Sequence, residues 1–213
     1  DVPAPDGAEK SPRQQAVRRD FDGADLPPEF QWLRTPYPER LFSLTERPGV
    51  LRLYGRESIG SWFEQSLVAR RQEHFSLQVE TEVDFQPTTF QQAAGLVHYY
   101  NRHKFHFLAV THDSKVGRCL TVMSCPGDWP DARLTFPMGG AIALPGDGPV
   151  RLAADIDGAS LQFRCFSHGE WKDVGPVLDA SVISDEGGRG EHGSFTGAFL
   201  GMAAFDTSGA AKP

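Results

Sequence analysis

The chain has 213 residues and is 39% hydrophobic, enough to bury one sizeable core without covalent staples. Its formal charge of −7 is offset by no basic block, since Arg18-Arg19 and Arg70-Arg71 are only pairs, so a nucleic-acid footprint is excluded. No apolar run approaches the about 18 residues of a membrane helix, and the N-terminus lacks a charged-then-apolar signal pattern, so no membrane partner is expected.

In chain order, residues 1–13 are Pro- and charge-rich without periodicity and read as a linker or disordered N-terminus, leaving 14–213 as the folded domain. Gln15 to Phe21 is a candidate opening strand and Phe30 to Leu33 a short one. Leu41 to Leu44 and Val50 to Tyr54 flank Pro48-Gly49, a hairpin turn signal. Ser61 to Arg70 carries apolar residues on both faces (Phe63, Leu67 and Ala69; Trp62 and Val68), which predicts a central strand.

Phe75 to Phe85 alternates over its whole length. Phe75, Leu77, Val79, Val83 and Phe85 take one face, and Ser76, Gln78, Glu80, Glu82 and Asp84 the other. That is a strand with one buried and one wet face. Ala93 to Tyr100 and Phe105 to Thr111 follow after short connections, so the three are predicted to form an antiparallel meander. Arg118 to Met123 is the next strand, and Ser124 to Gly140 reads as loop. Val150 to Ile156 alternates, Asp157-Gly158 turns the chain into Leu161 to Phe166, and Ser167 to Glu170 turns it again before Trp171. Asp179 to His192 is a long polar loop, and Phe195 to Phe205 is a last glycine-studded strand. No helix longer than a turn is visible. Strands at this spacing predict an all-β, two-sheet antiparallel β-sandwich of jelly-roll kind.

Four segments carry a resemblance: FQPTTFQQAAGLVHYYN (Phe85 to Asn101), RPGVLRLYGRES (Arg47 to Ser58), SLVARRQEHF (Ser66 to Phe75) and SFTGAFLGM (Ser194 to Met202). In this order they resemble the C-terminal concanavalin A-like β-sandwich domain of family 43 glycoside hydrolases of the β-xylosidase type, from about Phe21 to Ala210. The resemblance implies an accessory domain that packs on a separate propeller-type catalytic domain of a β-xylosidase or α-L-arabinofuranosidase. The hydrolytic carboxylates then belong to the propeller, xylo- or arabino-oligosaccharides are met through it, and this chain alone has no catalytic residue. Homo-oligomers are compatible with the resemblance. In the family a closing strand rich in Asp, Phe and Tyr follows. Its absence before Pro213 implies a sheet edge left open.

The resemblance also singles out Phe195. The matching aromatic of those enzymes projects into the neighbouring propeller's active site and helps wall the substrate pocket, where a ring can stack on sugar and exclude water. Periodicity alone offers another place for it, as the first inward residue of the last strand, in phase with Phe199 and Phe205. Trp62 and Trp129, the latter on a Pro-Gly-Asp-Trp-Pro loop, are possible carbohydrate contacts. A stand-alone carbohydrate-binding module is the alternative function, with Tyr99 or Tyr100 as further platforms on an outward sheet face.

A third reading is a glucanase-like jelly-roll enzyme built on Glu82 and Asp84. Alternation points both toward one face, but Gln86 stands where such enzymes have a third carboxylate, and a solvated sheet face explains the run as well. His98, His106 and His112 can reach neighbouring strands, but no Asp or Cys at suitable spacing completes a zinc set. Asp155 and Asp157 invite a structural calcium, which needs six or more oxygens, yet turn chemistry accounts for Asp157-Gly158. No metal and no cofactor are assigned. Cys119, Cys125 and Cys165, an odd number without metal-ligand spacing, read as reduced thiols, with a Cys119–Cys125 bridge open. Reduced thiols fit a cytoplasmic location.

Overall fold

The computed structural model describes residues 16–127, 133–187 and 195–209. The 1–13 linker and Trp129 lie outside the described residues, as does much of the loop before Phe195. Early strands are short: β1 (Phe30–Trp32), β2 (Phe42–Ser43) and β3 (Arg52–Leu53). The long ones are β4 (Ser66–Arg71), β5 (Ser76–Val83), β6 (Gln92–Asn101), β7 (Lys104–Asp113) and β8 (Gly117–Pro126). After β9 (Ile142–Ala143) come β10 (Val150–Asp157), β11 (Ser160–Ser167), β12 (Glu170–Asp179) and β13 (Phe199–Asp206). The only helical pieces among the described residues are 3-10 turns at Pro38–Arg40 and Ala180–Val182. The all-β antiparallel sandwich is therefore present, in the order β1-β4-β13-β6-β7-β8-β9 in one sheet and β12-β11-β10-β5 in the other. The predicted hairpin is present as β2 paired with β3 around Pro48-Gly49.

The two sheets bury their strands differently, and the sequence says why. β6 and β7 read as nearly continuous apolar runs, which suits strands covered on both faces. Leu96, Leu108, Val110, Leu120 and Val122 face Leu152, Ile156, Leu161, Phe163 and Val174 across the sandwich. On the opposite face of the larger sheet, Val97, Tyr99, Phe105, Phe107, Met123 and Phe205 form a second core, closed over by Ile59 and Leu33. β5 keeps its alternation: Leu77, Val79, Val83 and Phe85 pack on the inter-sheet core while Gln78, Glu80 and Glu82 stay wet.

Four sequence expectations are corrected. The meander is β6-β7-β8, because β5 pairs with β10, from Val83↔Val150 to Ser76↔Asp157, in the other sheet. A half-polar strand placed beside β6 would bury its glutamates under the second core, so the chain crosses sheets between β5 and β6. Phe75 precedes β5 and is 86% exposed instead of continuing its buried face. Residues 16–21 form no strand. The strand expected from Ser61 starts at Ser66, in line between β1 and β13 as its two apolar faces require, which leaves Trp62 and Phe63 in the preceding loop.

The three cysteines are buried thiols. Cys119 and Cys125 lie along one extended strand, β8, and about 3.3 Å of rise per residue holds them too far apart to bridge.

Candidate functional site

The most exposed large aromatic side chain among the described residues is that of Phe195, at 90%. It stands four residues before β13 begins, so the alternative position as an inward strand residue is not the one it takes. At the start of β13, Phe199 pairs with Tyr99 of β6 on one side and Arg71 of β4 on the other. The stem between the ring and the strand, Thr196 to Ala198, is held from three directions. Gln72 N–H donates to the Ala198 carbonyl at 2.8 Å, extending the β4 pairing by one residue. The Arg71 guanidinium donates to the Thr196 carbonyl and lies over the Phe199 ring at 4.9 Å. Thr196 N–H donates to Tyr100 Oη at 3.1 Å, and Gly197 N–H to Asp185 Oδ1 at 3.0 Å.

Tyr100 in turn donates its hydroxyl to Asp185 Oδ1. These hydrogen bonds, first from Tyr100 and then from the Gly197 amide, hold the Asp185 carboxyl below its usual pKa. Lys104, at the β6–β7 turn, donates to the Ser184 carbonyl at 3.2 Å and places its ammonium 4.7 Å from the centre of the Tyr100 ring. Gly197 has φ +73°, a left-handed conformation, and a Cβ there would come within 2.9 Å of Arg71 Nη1. The stem is thus a tightly bonded turn with one ring left outside it.

Trp62 sits at the same end of the larger sheet, on the other side of the β6–β7 turn. Its ring is 53% exposed, but Arg102 lies over one face at 3.7 Å from the centroid and His103 packs edge-on at 6.3 Å. Arg102 also donates to the Gly60 carbonyl at 3.0 Å, and Arg34 to the Trp62 carbonyl at 3.2 Å. This arrangement locks the loop down and leaves less open ring than a free sugar platform presents. Tyr99 and Tyr100 are buried, so the outward aromatic face required by a stand-alone module is not built from them. Burial raises the Tyr99 hydroxyl to about 12.

The carboxylate run on β5 is a solvated face tied to arginines. Arg151 meets Glu80 at 3.0 Å and Arg47 meets Asp84 at 2.8 Å, with all four side chains substantially exposed. His98 and His106 are directly opposite on β6 and β7, but among the described residues no three His, Cys, Asp or Glu side chains gather as a metal set. Asp155 pairs with Arg164, and Asp157 accepts from Ser76 Oγ at 2.6 Å.

A two-sheet antiparallel sandwich of this strand order is the architecture of a concanavalin A-like domain. The family model for the beta xylosidase C-terminal Concanavalin A-like domain matches residues 18–213, and the chain belongs to that family. Over 185 residues it is 52% identical to Xylosidase/arabinosidase 43B of Humicola insolens, covering 86% of this chain and 34% of that protein. It is 40% identical over 192 residues to the Beta-xylosidase of Bacillus subtilis, covering 89% of this chain and 35% of the relative. The crystal structure of xylan beta-1,4-xylosidase from Bacillus halodurans superposes with a TM-score of 0.85 at 36% identity, covering 100% of this chain and 40% of that one. The chain thus spans about a third of the length of the curated relatives it matches, and the family it belongs to is that of a C-terminal domain.

Of the residues around the stem, Arg71, Gln72, Tyr100 and Thr196 to Ala198 lie in segments that carry the resemblance, whereas Asp185 and Lys104 lie outside them. Asp185 lies in a polar loop, and its partner Tyr100 is 85 positions away. Only the fold brings them together.

Proposed function

We propose that this domain packs against a propeller-type catalytic domain of a β-xylosidase or α-L-arabinofuranosidase and lends Phe195 to the wall of its sugar pocket. The observation that carries the reading is the 90% exposed ring on a stem bonded from three sides. Exposure alone does not single the ring out, since Phe75 and Phe90 are also largely in water. What adds to it is the hydrogen-bonded stem that holds Phe195 in one place, as an aromatic presented to a neighbouring surface requires. The names of the relatives support the substrate class, xylo- or arabino-oligosaccharides, met through the catalytic domain. On this reading the chain supplies neither of the two hydrolytic carboxylates and no cofactor, and the buried thiols favour a cytoplasmic setting.

The test is release of nitrophenol from the β-xyloside and the α-arabinofuranoside. The chain is assayed alone, and mixed with or fused to the catalytic half of a family β-xylosidase lacking its own C-terminal domain. No turnover alone, turnover on combination, and about a tenfold loss of kcat/KM with Phe195→Ala are the expected results. Turnover by the chain alone defeats the proposal. Xylo-oligosaccharide binding by the chain alone, abolished by Trp62→Ala, redirects it to a carbohydrate-binding module.

A further inference from the structure

We infer that Asp185 is the positioning residue for Phe195, acting with Tyr100 as a clamp that fixes the direction in which the ring leaves the domain. The inference rests on the pocket reading of Phe195 given above for its functional half, and on geometry for the rest. A single oxygen, Asp185 Oδ1, accepts both the Tyr100 hydroxyl and the Gly197 N–H, the latter at 3.0 Å. The same Tyr100 oxygen accepts the Thr196 N–H at 3.1 Å. The two consecutive amides after the ring are therefore captured by two side chains that also bond each other. Neither amide lies in a strand, so without the clamp both have only water as partner.

The far side of the stem is closed by Arg71 on the Thr196 carbonyl. Two peptide units are thus fixed within a few bonds of the Phe195 Cα, which removes the backbone freedom that would otherwise let the ring sweep a wide cone. Lys104 braces the acceptor side. It donates to the carbonyl of Ser184, the residue before Asp185, and covers the Tyr100 ring. A ring that must enter a neighbouring domain's pocket gains from arriving already oriented, because less ordering is left for the docking step.

The roles of the two side chains separate under substitution. Asp185→Asn keeps an oxygen that accepts both bonds and preserves the clamp without its charge. Asp185→Ala removes the acceptor and leaves the Tyr100 hydroxyl to turn elsewhere. Tyr100→Phe removes the acceptor for Thr196 while keeping the ring packed.

The test has two arms. In the first, hydrogen exchange of the Thr196 and Gly197 amides is read in this chain. Asp185→Ala should speed exchange of both by about tenfold or more, Tyr100→Phe that of Thr196, and Asp185→Asn should restore most of the protection. In the second, the combined enzyme described above is assayed with Asp185→Ala, Phe195→Ala and the double variant. Asp185→Ala should lower kcat/KM toward the Phe195→Ala value, and the double variant should be no worse than Phe195→Ala alone. A merely structural role would add to the Phe195 loss and lower the melting temperature, so an additive double variant overturns the inference. Unchanged exchange in Asp185→Ala overturns it whatever the assay gives. If Phe195→Ala itself has no kinetic effect, the pocket reading fails, and the exchange arm alone then decides whether Asp185 orders the stem.

Discussion

The two sheets solve the same problem with opposite rules. The four-stranded sheet is half wet, and its outer face carries charges in pairs: Glu80 with Arg151 and Asp155 with Arg164. The seven-stranded sheet has apolar cores on both faces, and the histidines buried in its β6 and β7, His98 and His106, are held uncharged. The difference teaches where each sheet is vulnerable. Changes of volume threaten the larger sheet on both of its faces and the smaller one on its inner face alone. Protonation of buried histidines threatens the larger sheet, and changes of surface charge should scarcely touch the smaller.

Cavity formation should give the largest effect. Phe107 and Phe163 are both fully buried, Phe107 in the core on the far side of the larger sheet and Phe163 between the sheets. Each to Ala should cost about 3–5 kcal/mol in urea unfolding. Equal costs would show that the face closed by Ile59 and Leu33 packs as firmly as the inter-sheet core. A Phe107→Ala cost below about 1.5 kcal/mol would mean that this cover yields, and the comparison between the sheets would collapse.

Overpacking comes next. A Cβ on Gly201 of β13 would fall 2.2 Å from the Val68 carbonyl oxygen and 2.4 Å from the Ala69 Cα, both backbone atoms of β4. Strands β4 and β13 have to part for any side chain there, so Gly201→Ala should destabilise by about 3 kcal/mol, read as a lowered melting temperature. Full retention of the melting temperature would contradict the close approach of the two strands.

Much of this arrangement was legible in the residues. The clean alternation of Leu77 to Phe85 and of Val150 to Ile156 gave half-wet strands, and the two apolar faces of Ser61 to Arg70 gave a central one. What was not legible is which strands distant in the chain lie beside one another, as β5 with β10 and β13 with β4 and β6 do. Both β5 and β6 look like good neighbours for a short connection, and only the demand that Glu80 and Glu82 stay in water sends β5 to the other sheet. The site divides in the same way. Phe195 was reached through a resemblance, whereas Asp185 and Tyr100 acquire meaning only when β6 and the loop after β12 meet at one end of the sandwich.

Acid should separate the sheets by a moderate amount. Burial, reinforced by neighbouring His106, lowers the His98 pKa from 6.5 to about 3. Burial also lowers that of His106, against the opposing pull of the Asp179 carbonyl at 3.0 Å. His98 Nε2 meets Gln72 Oε1 at 2.9 Å while its Nδ1 is buried without a hydrogen-bond partner, so a second proton would be stranded there. Both folded pKa values lie below the unfolded one, so the unfolded chain takes up protons first. Stability from these groups is complete above about pH 6.5 and is lost as pH falls below it, for His98 down to about 3, by at most ~1.4 kcal/mol per pH unit for each histidine. The His98→Gln variant, compared with the parent by urea unfolding at pH 7 and pH 5, should lose less stability between the two. An identical pH slope in both proteins would remove His98 from the account.

The smallest effects belong on the wet face of the four-stranded sheet. Glu80 and Arg151 are 3.0 Å apart with 42% and 45% of their side chains exposed, so solvent screens most of the attraction and Glu80→Gln should cost no more than about 0.5 kcal/mol. Arg151 does more than pair. Its guanidinium also lies 4.7 Å from the Phe166 ring centre and 5.2 Å from that of Trp171, so Arg151→Ala should cost about 1 kcal/mol through lost packing. The order of the two values is the informative part. If Glu80→Gln proved the costlier, the ion pair would be governing that face and not the aromatic stack beneath it. Asp84 sits in the same regime, paired to Arg47 with 44% of its side chain exposed. Glu82→Gln with Asp84→Asn should therefore leave the fold unchanged and, on the accessory-domain reading, the activity of the combined enzyme as well, because Glu82 is exposed on the wet face and Asp84 is tied to Arg47. Loss of activity would revive the glucanase-like reading.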